Sequence, residues 1–395
     1  MIVGASMGGL RTAESLRRSG FRGEITVVGA EMHLPYNRPP LSKDFLAKDK
    51  DFESVAFNVN SEQLEAEFIL GDPARSVDIH EQKISLHSNQ KLSFDYLVAA
   101  TGLRSRKIEF QNQVKSGRYS LRTYDDAKSI RAAVSPGKRV VILGAGFIGL
   151  ELAATLRKLG CSVEIVAMES TPLAAIIGEL FGKTVQARHE SNGVRFHMSN
   201  SVVDLIGETF VTGVLLGDGK TIECEIFIEA VGSLPNTEWL DGIGLDKANG
   251  VLTDATLRAT DTDGNPLENL FVVGDIARFP YVNQKLPARR IEHWNIPIEC
   301  GKRVGREIAN AVNPGSVFDF KECESFNPLP SFWSDQFDMS ILSYGEPKIA
   351  DEVQLLDGSL DTEFIFGYRR ENRLVGVAGI GMRRDLNTLR GEIYL

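Results

Sequence analysis

The chain has 395 residues, 43% hydrophobic and 25% charged, the composition of an ordinary globular protein with room for two or three domains of roughly 100–200 residues each. A formal net charge of -9 removes the uniformly basic surface that nucleic acid or an anionic membrane attracts. The four cysteines, Cys161, Cys224, Cys300 and Cys323, have no redox or zinc-site spacing, and no apolar run reaches the ~18 residues of a membrane span, so no metal site is expected and the protein reads as cytoplasmic.

The chain opens on Ile2-Val3-Gly4-Ala5-Ser6-Met7-Gly8-Gly9, a short strand entering a glycine-rich turn and then a helix from about Leu10 to Arg18, with Ser6 at the middle glycine position. Residues 23–31 read as the next strand, and Glu31 closes it where an acid can accept hydrogen bonds from an adenosine ribose. A solvated strand-end charge is the plainer alternative for Glu31. Two consecutive prolines, Pro39 and Pro40, stiffen the next loop, useful for holding a flat ring or simply a surface feature. Residues 44–63 show little pattern. Strands are expected at 67–70, 83–86 and 96–98, the last running into Ala99-Ala100-Thr101-Gly102.

A helix over 124–134 precedes the clearest signal in the chain. Val140-Val141-Ile142-Leu143 runs into Gly144-Ala145-Gly146-Phe147-Ile148-Gly149-Leu150-Glu151, a strand, tight turn and helix. In this pattern the first glycine permits the turn and the second lets backbone approach a pyrophosphate. The third lets helix pack on strand, while the helix N-terminus faces the phosphates. Next come a strand at 161–167, a helix at 178–191 and strands at 194–196, 202–205, 211–216 and 221–231, the last ending at Gly232. Residues 4–9, 28–31 and 97–102 thus repeat in order as 144–149, 163–166 and 226–232, which implies two dinucleotide-binding units. Two dinucleotides in one chain point to a flavin and a nicotinamide exchanging a hydride. A strand at 270–273 ends on Gly274-Asp275, a helix is expected over 296–311, and short strands near 332, 339–343, 363–368 and 374–380 make a small α+β third unit.

Arg38-Pro39-Pro40-Leu41-Ser42-Lys43, Ala100-Thr101-Gly102, Gly274-Asp275, Glu292-His293-Trp294 and Phe332-Trp333-Ser334-Asp335-Gln336 resemble the FAD-dependent, NADH-oxidising ferredoxin reductases of bacterial oxygenase systems, a family that includes putidaredoxin reductase and rubredoxin reductase. The resemblance runs nearly end to end. It implies an α/β fold with two Rossmann-like dinucleotide-binding domains and a small C-terminal α+β domain. FAD would occupy 1–108 with 236–312, NADH 109–235, and the third domain 313–395.

By that resemblance Gly4, Ser6, Gly8 and Gly9 hold the FAD pyrophosphate and Glu31 its ribose. Arg38, Pro40 and Lys43 lie beside the isoalloxazine, with Ala100, Thr101 and Gly102 near the cofactor. Asp275 takes the ribityl chain, and Glu292, His293 and Trp294 meet the pyrimidine end. Gly144, Gly146, Phe147, Ile148, Gly149 and Gly232 form the NAD cradle, Glu151 joins Lys43 at the nicotinamide as the catalytic pair, and Trp333 sits near the flavin. For Glu151 the alternative is a helix-start carboxylate favoured by the dipole, and for Trp333 a core aromatic. The family's usual acid after the second unit's second strand is replaced by Ala167, leaving Glu169 as candidate ribose acceptor. No arginine stands nearby for a 2′-phosphate, so NADH is favoured over NADPH.

The partner so implied is an iron–sulfur protein, a two-iron ferredoxin or a rubredoxin. Lys285, Arg289, Arg290, Lys302, Arg303 and Arg306 are candidates for a basic docking patch. Related disulfide reductases need a cysteine pair near the flavin, and none of the four cysteines falls in the first 160 residues. Oxidases and peroxidases of the superfamily need a cysteine near Ser42. A redox-sensing protein resembling apoptosis-inducing factor, which binds FAD and NADH but acts through partners, is the remaining rival.

Overall fold

A computed structural model describes residues 1–59, 61–281, 286–313 and 326–393. The first sheet runs, from edge to edge, Arg258–Thr260, Pro266–Val272, Leu97–Ala99, Ile2–Val3, Ile25–Gly29 and Ala66–Leu70. All neighbours are parallel except the Arg258–Thr260 edge. The second sheet runs Arg195–His197, Ser162–Val166, Arg139–Leu143, Ile226–Glu229 and Arg118–Ser120, parallel throughout. Their central strands are apolar over nearly all of their buried length, as parallel strands covered on both faces require. In each sheet the strand feeding a glycine turn lies between its own successor and the strand that ends the repeat, so the two units match in space as they do in sequence.

Helix Met7–Arg18 leaves the first turn and helix Phe147–Lys158 the second. Helix Ile296–Val312 lies against the first of these at close range: a Cβ on Gly301 would stand 2.9 Å from the Gly8 carbonyl oxygen, and one on Gly305 2.8 Å from the Leu16 nitrogen. The 221–231 stretch, expected as one strand, is two. Thr221–Glu223 closes a small antiparallel sheet with Val202–Ile206 and Gly213–Leu216, and Ile226–Glu229 joins the parallel sheet. The buried Cys224 and its neighbour Glu225 make the change of sheet, which an uninterrupted apolar alternation does not reveal.

The chain passes between the two Rossmann-like units twice, and the crossings pair as an antiparallel ribbon, Leu103–Ser105 with Ser233–Pro235. The third unit is a five-stranded antiparallel sheet in the order Ser331–Gln336, Met339–Gly345, Arg373–Ile380, Phe364–Arg370 and Glu352–Gly358, with helix Arg383–Leu389 on it. The expected change of character at Asn313-Pro314-Gly315 falls mostly outside the described residues.

One apolar cluster ties all three units. It contains Tyr36, Leu41 and Phe45 from the first 50 residues, Leu150 and Ile228 from the second unit, and Phe332, Ile341 and Phe364 from the third. Phe45 is 1% exposed, and burying such a ring contributes about 1.5–3 kcal/mol. The Pro39–Ser42 turn and the short helix Asp44–Lys48 are therefore anchored on the second unit's core, although they belong to the first in sequence.

Candidate functional site

Both glycine turns are built on contacts that only glycine permits. Gly4 has φ +128, and a Cβ there would lie 2.1 Å from the Ala100 carbonyl oxygen; Gly144 has φ +111 with the Ala230 oxygen at 2.3 Å. The helices leaving these turns both start at residues in extended backbone, Ser6 and Gly146, with no side-chain cap and no acid in the first turn. Their free N–H groups and positive dipole ends are left for an external anion, the arrangement that holds a dinucleotide pyrophosphate. Among the described residues nothing lies within 4 Å of a Cβ built on Gly146, so that space is open to a ligand.

The two helix starts look into one cavity of about 320 Å³. Ser6, Met7 and Gly8 of the first and Phe147, Ile148 and Glu151 of the second line it together with Lys43. Lys43 Nζ is 2.7 Å from Glu151 Oε1. Ser334 donates to the same oxygen at 2.6 Å, and Ser42 donates to Oε2 at 2.5 Å. Glu151 is only 6% exposed, a buried carboxylate acceptable there because three donors surround it. It stands beyond the first turn of its helix and is held by side chains, so the helix-dipole reading of its place is insufficient.

A second polar group lines the same cavity. Asp275 accepts from Arg122 at 3.1 Å, and the Arg122 carbonyl accepts from Arg38 at 2.8 Å. Arg38 also pairs with Glu31 at 2.5 Å, and Tyr36 donates to the other Glu31 oxygen at 2.6 Å. Burial pushes the Tyr36 hydroxyl up, which keeps it a proton donor to Glu31. Burial also raises the Asp275 carboxyl, with the Arg122 guanidinium opposing the shift. His293 packs edge-on against Phe332, and burial lowers its imidazole to about 4, so it is neutral at pH 7. Its Nδ1 is buried without a hydrogen-bond partner among the described residues, an unfilled polar position at the cavity wall that a ring with polar edges can satisfy. Trp294 and Trp333 form an edge-to-face pair, 5.4 Å between centroids, at the rim. Each is nearly two-fifths exposed, so Trp333 is a rim residue and not a core aromatic.

Of the residues named from sequence, Ser6, Gly8, Arg38, Lys43, Ala100, Thr101, Gly102, Phe147, Ile148, Glu151, Asp275, Glu292, His293, Trp294 and Trp333 line the cavity. Gly4, Gly9, Gly144 and Gly149 lie behind it as the close-packing positions of the turns. Glu31 reaches it through Arg38, and Pro40 is passed over in favour of its neighbours Pro39 and Leu41. Glu169 is exposed and outside the cavity, as is Gly232, just beyond strand Ile226–Glu229. The expected basic patch is mostly paired within the chain: Arg289 pairs with Glu346, Arg290 with Glu292 and the buried Arg303 with Glu307, while Lys302 pairs with Glu299 at the surface and Arg306 donates to the Lys302 carbonyl. Lys285 lies outside the described residues. Sequence reasoning missed Arg122 and gave Ser42 and Ser334 no role; a polar residue at an inward position of the Ser331–Gln336 strand was the available signal.

The family model described as pyridine nucleotide-disulphide oxidoreductase matches residues 1–301, and the one described as reductase C-terminal matches residues 331–393. The chain is 30% identical to the probable ferredoxin reductase CtmF of Castellaniella defragrans, over 95% of this chain and 89% of the relative. It superimposes on the ferredoxin reductase for the CYP199A2 system from Rhodopseudomonas palustris with a TM-score of 0.90 and 30% identity, covering 98% of this chain and 92% of the other. It superimposes equally, TM-score 0.90 at 26% identity and covering 99% and 91%, on a covalent putidaredoxin reductase–putidaredoxin complex.

Proposed function

The chain belongs to the pyridine nucleotide-disulphide oxidoreductase family, and from that premise we propose that it is an FAD-containing reductase that oxidises NADH and delivers electrons singly to a ferredoxin-type iron–sulfur protein serving an oxygenase. The observation that carries this reading is the shared cavity lined by the starts of both dinucleotide-binding helices and by the Lys43–Glu151 pair. Bound there, FAD supplies the conversion of a two-electron hydride donor into one-electron delivery. The residues present fit it: an uncapped helix start at Ser6, a carboxylate at Asp275, and an unfilled polar atom at His293 Nδ1.

The chain's own contributions derive from its geometry. Gly4 to Gly9 present backbone N–H groups to one pyrophosphate and Gly144 to Gly149 to the other. Lys43 holds a cation at the cavity wall, where it stabilises negative charge growing on a reduced ring; Glu151 keeps the ammonium aimed and prevents it from turning to solvent. The apolar faces of Leu41, Phe147 and Phe332 exclude water around that pair. Among the described residues no cysteine lines the cavity. We assign 1–108 with 236–312 to FAD, 109–235 to NADH and 313–395 to the third domain, and place the protein in the cytoplasm, where NADH is supplied. Among the described residues no helix is long and apolar enough to cross a membrane.

The test is reconstitution with FAD and assay with NADH against two-iron ferredoxins, a rubredoxin and ferricyanide. The reading expects yellow protein and rapid reduction of at least one iron–sulfur carrier. Yellow protein that reduces ferricyanide slowly and no carrier at all would instead support the redox-sensing alternative.

A further inference from the structure

Strand Ser331–Gln336 alternates strictly, and its inward positions are Phe332, Ser334 and Gln336. Ser334 is fully buried and Gln336 is 1% exposed. Two polar side chains on the inward face of a sheet are costly unless each is bonded, and an apolar pair would pack the same space without that cost. Both are bonded, in a line. Gln336 Nε2 donates to Ser334 Oγ at 2.9 Å, and Ser334 Oγ is 2.6 Å from Glu151 Oε1. On the far side, Gln336 Oε1 is 2.8 Å from Nε2 of His189, a fully buried residue of helix Glu179–Ser191.

The direction of every bond is dictated from the charged end. Glu151 can only accept, so Ser334 donates to it and offers its lone pair to the Gln336 amide. The Gln336 carbonyl then faces His189, whose Nε2 must carry the proton. Its Nδ1 is left bare, buried and without a partner among the described residues, and the ring packs edge-on against Phe337, beside the same strand. The neutral imidazole this requires agrees with its burial, which lowers its pKa to about 4. Three donors therefore point the same way along the line and end on the oxygen that also holds Lys43.

We infer that Ser334 is a positioning residue for the Lys43–Glu151 pair, and that Gln336 and His189 hold its hydroxyl in place, so that the third domain sets the geometry of the nicotinamide side of the cavity. This inference rests on the function proposed above, and goes beyond it in assigning the third domain a part in that chemistry. With Ser42 alone the carboxylate, and the lysine it holds, could pivot about the single Oε2 contact. Ser334 removes that freedom from a different domain.

The test compares wild type with Ser334→Ala, Ser334→Thr and Gln336→Met. Each is read for FAD content, for the rate of flavin reduction at saturating NADH, and for the rate at which an amine reagent labels Lys43 in the cofactor-free protein. Ser334→Ala should slow reduction about tenfold, as loss of a hydrogen bond to a charged group implies, with FAD content unchanged. Ser334→Thr, which keeps the hydroxyl, should remain within about threefold of wild type, and Ser334→Ala should label Lys43 about threefold faster or more. In a Glu151→Gln background the Ser334→Ala change should add nothing, because the two act through one group. Should Ser334→Ala not fold, Gln336→Met carries the same expectations. Unchanged Lys43 labelling, or full additivity with Glu151→Gln, overturns the inference. The labelling needs no cofactor, so failure of the protein to take FAD or react with NADH would count against the proposed function separately.

Discussion

The two glycine turns are nearly superimposable in logic and different in setting. At Gly4 and Gly144 the turn strand comes so close to the next sheet strand that a Cβ would strike the Ala100 or Ala230 carbonyl, at 2.1 and 2.3 Å. At Gly9 and Gly149 a Cβ would strike the oxygen of Gly4 or Gly144, at 2.0 and 2.2 Å. The surroundings of the two helix starts then diverge. Gly8 is buried under Val273 and its helix is clamped by Gly301 and Gly305 of another helix. The matching position in the second turn is Ile148, 41% exposed, and Gly146 opens onto free space. An enclosed cradle suits a resident cofactor and an open one a dinucleotide that enters and leaves each turnover.

The largest effect that could break this comparison is Gly4→Ala against Gly144→Ala. Each forces a side chain into backbone at positive φ, a loss of about 3 kcal/mol or more. Gly4→Ala should give protein without bound flavin. Gly144→Ala should retain the yellow colour while losing saturable NADH reduction. Visible spectra and anaerobic titration decide it, and loss of flavin in both would mean that the units are not independent cradles.

Lys43→Ala comes next. It leaves Glu151 buried with hydroxyl donors alone, and flavin reduction should slow about a hundredfold while FAD content holds. A slowing of less than about threefold would remove the pair from the chemistry.

The middle positions sharpen the contrast further. Gly146→Ala should weaken NAD⁺ binding about tenfold with little change in melting temperature, since the added methyl meets only ligand space. Ser6→Ala, where a side chain already stands, should change FAD retention less than about threefold.

The smallest effect is on acid stability. His189, on helix Glu179–Ser191, and His293, at the cavity wall, are both lowered by burial to about 4 from 6.5. The unfolded chain binds those protons and the folded one does not. The share of stability these two imidazoles contribute should therefore be level above pH 6.5 and fall as pH drops from 6.5 towards 4, at up to roughly 1.4 kcal/mol per pH unit for each. Denaturant titrations of the cofactor-free protein across that window check it, with His189→Asn and His293→Asn each expected to lower the slope by a similar amount.

Much of this was legible in sequence because it is local. A β-branched run, a glycine turn and an apolar helix are written within about 20 consecutive residues, and both turns fold as their residues predict. The hidden part depends on residues far apart. The weakly patterned 44–63 stretch contributes Phe45, Leu46 and Val55 to a core built mostly from the second unit, so its own periodicity carried little signal. The strand Glu352–Gly358 is an exposed edge, with Val353 and Leu355 at the surface, and shows no inward-facing stripe. Arg122 becomes a site residue only when Asp275 is brought beside it, and Arg289 ceases to be a surface cation only when Glu346 meets it.

The central claim is that the two cradles serve one cavity, and single-turnover mixing tests it most directly. Anaerobic addition of one equivalent of NADH to the FAD-loaded protein should bleach the flavin completely. Protein that binds both dinucleotides yet keeps its oxidised spectrum after that addition would contradict it.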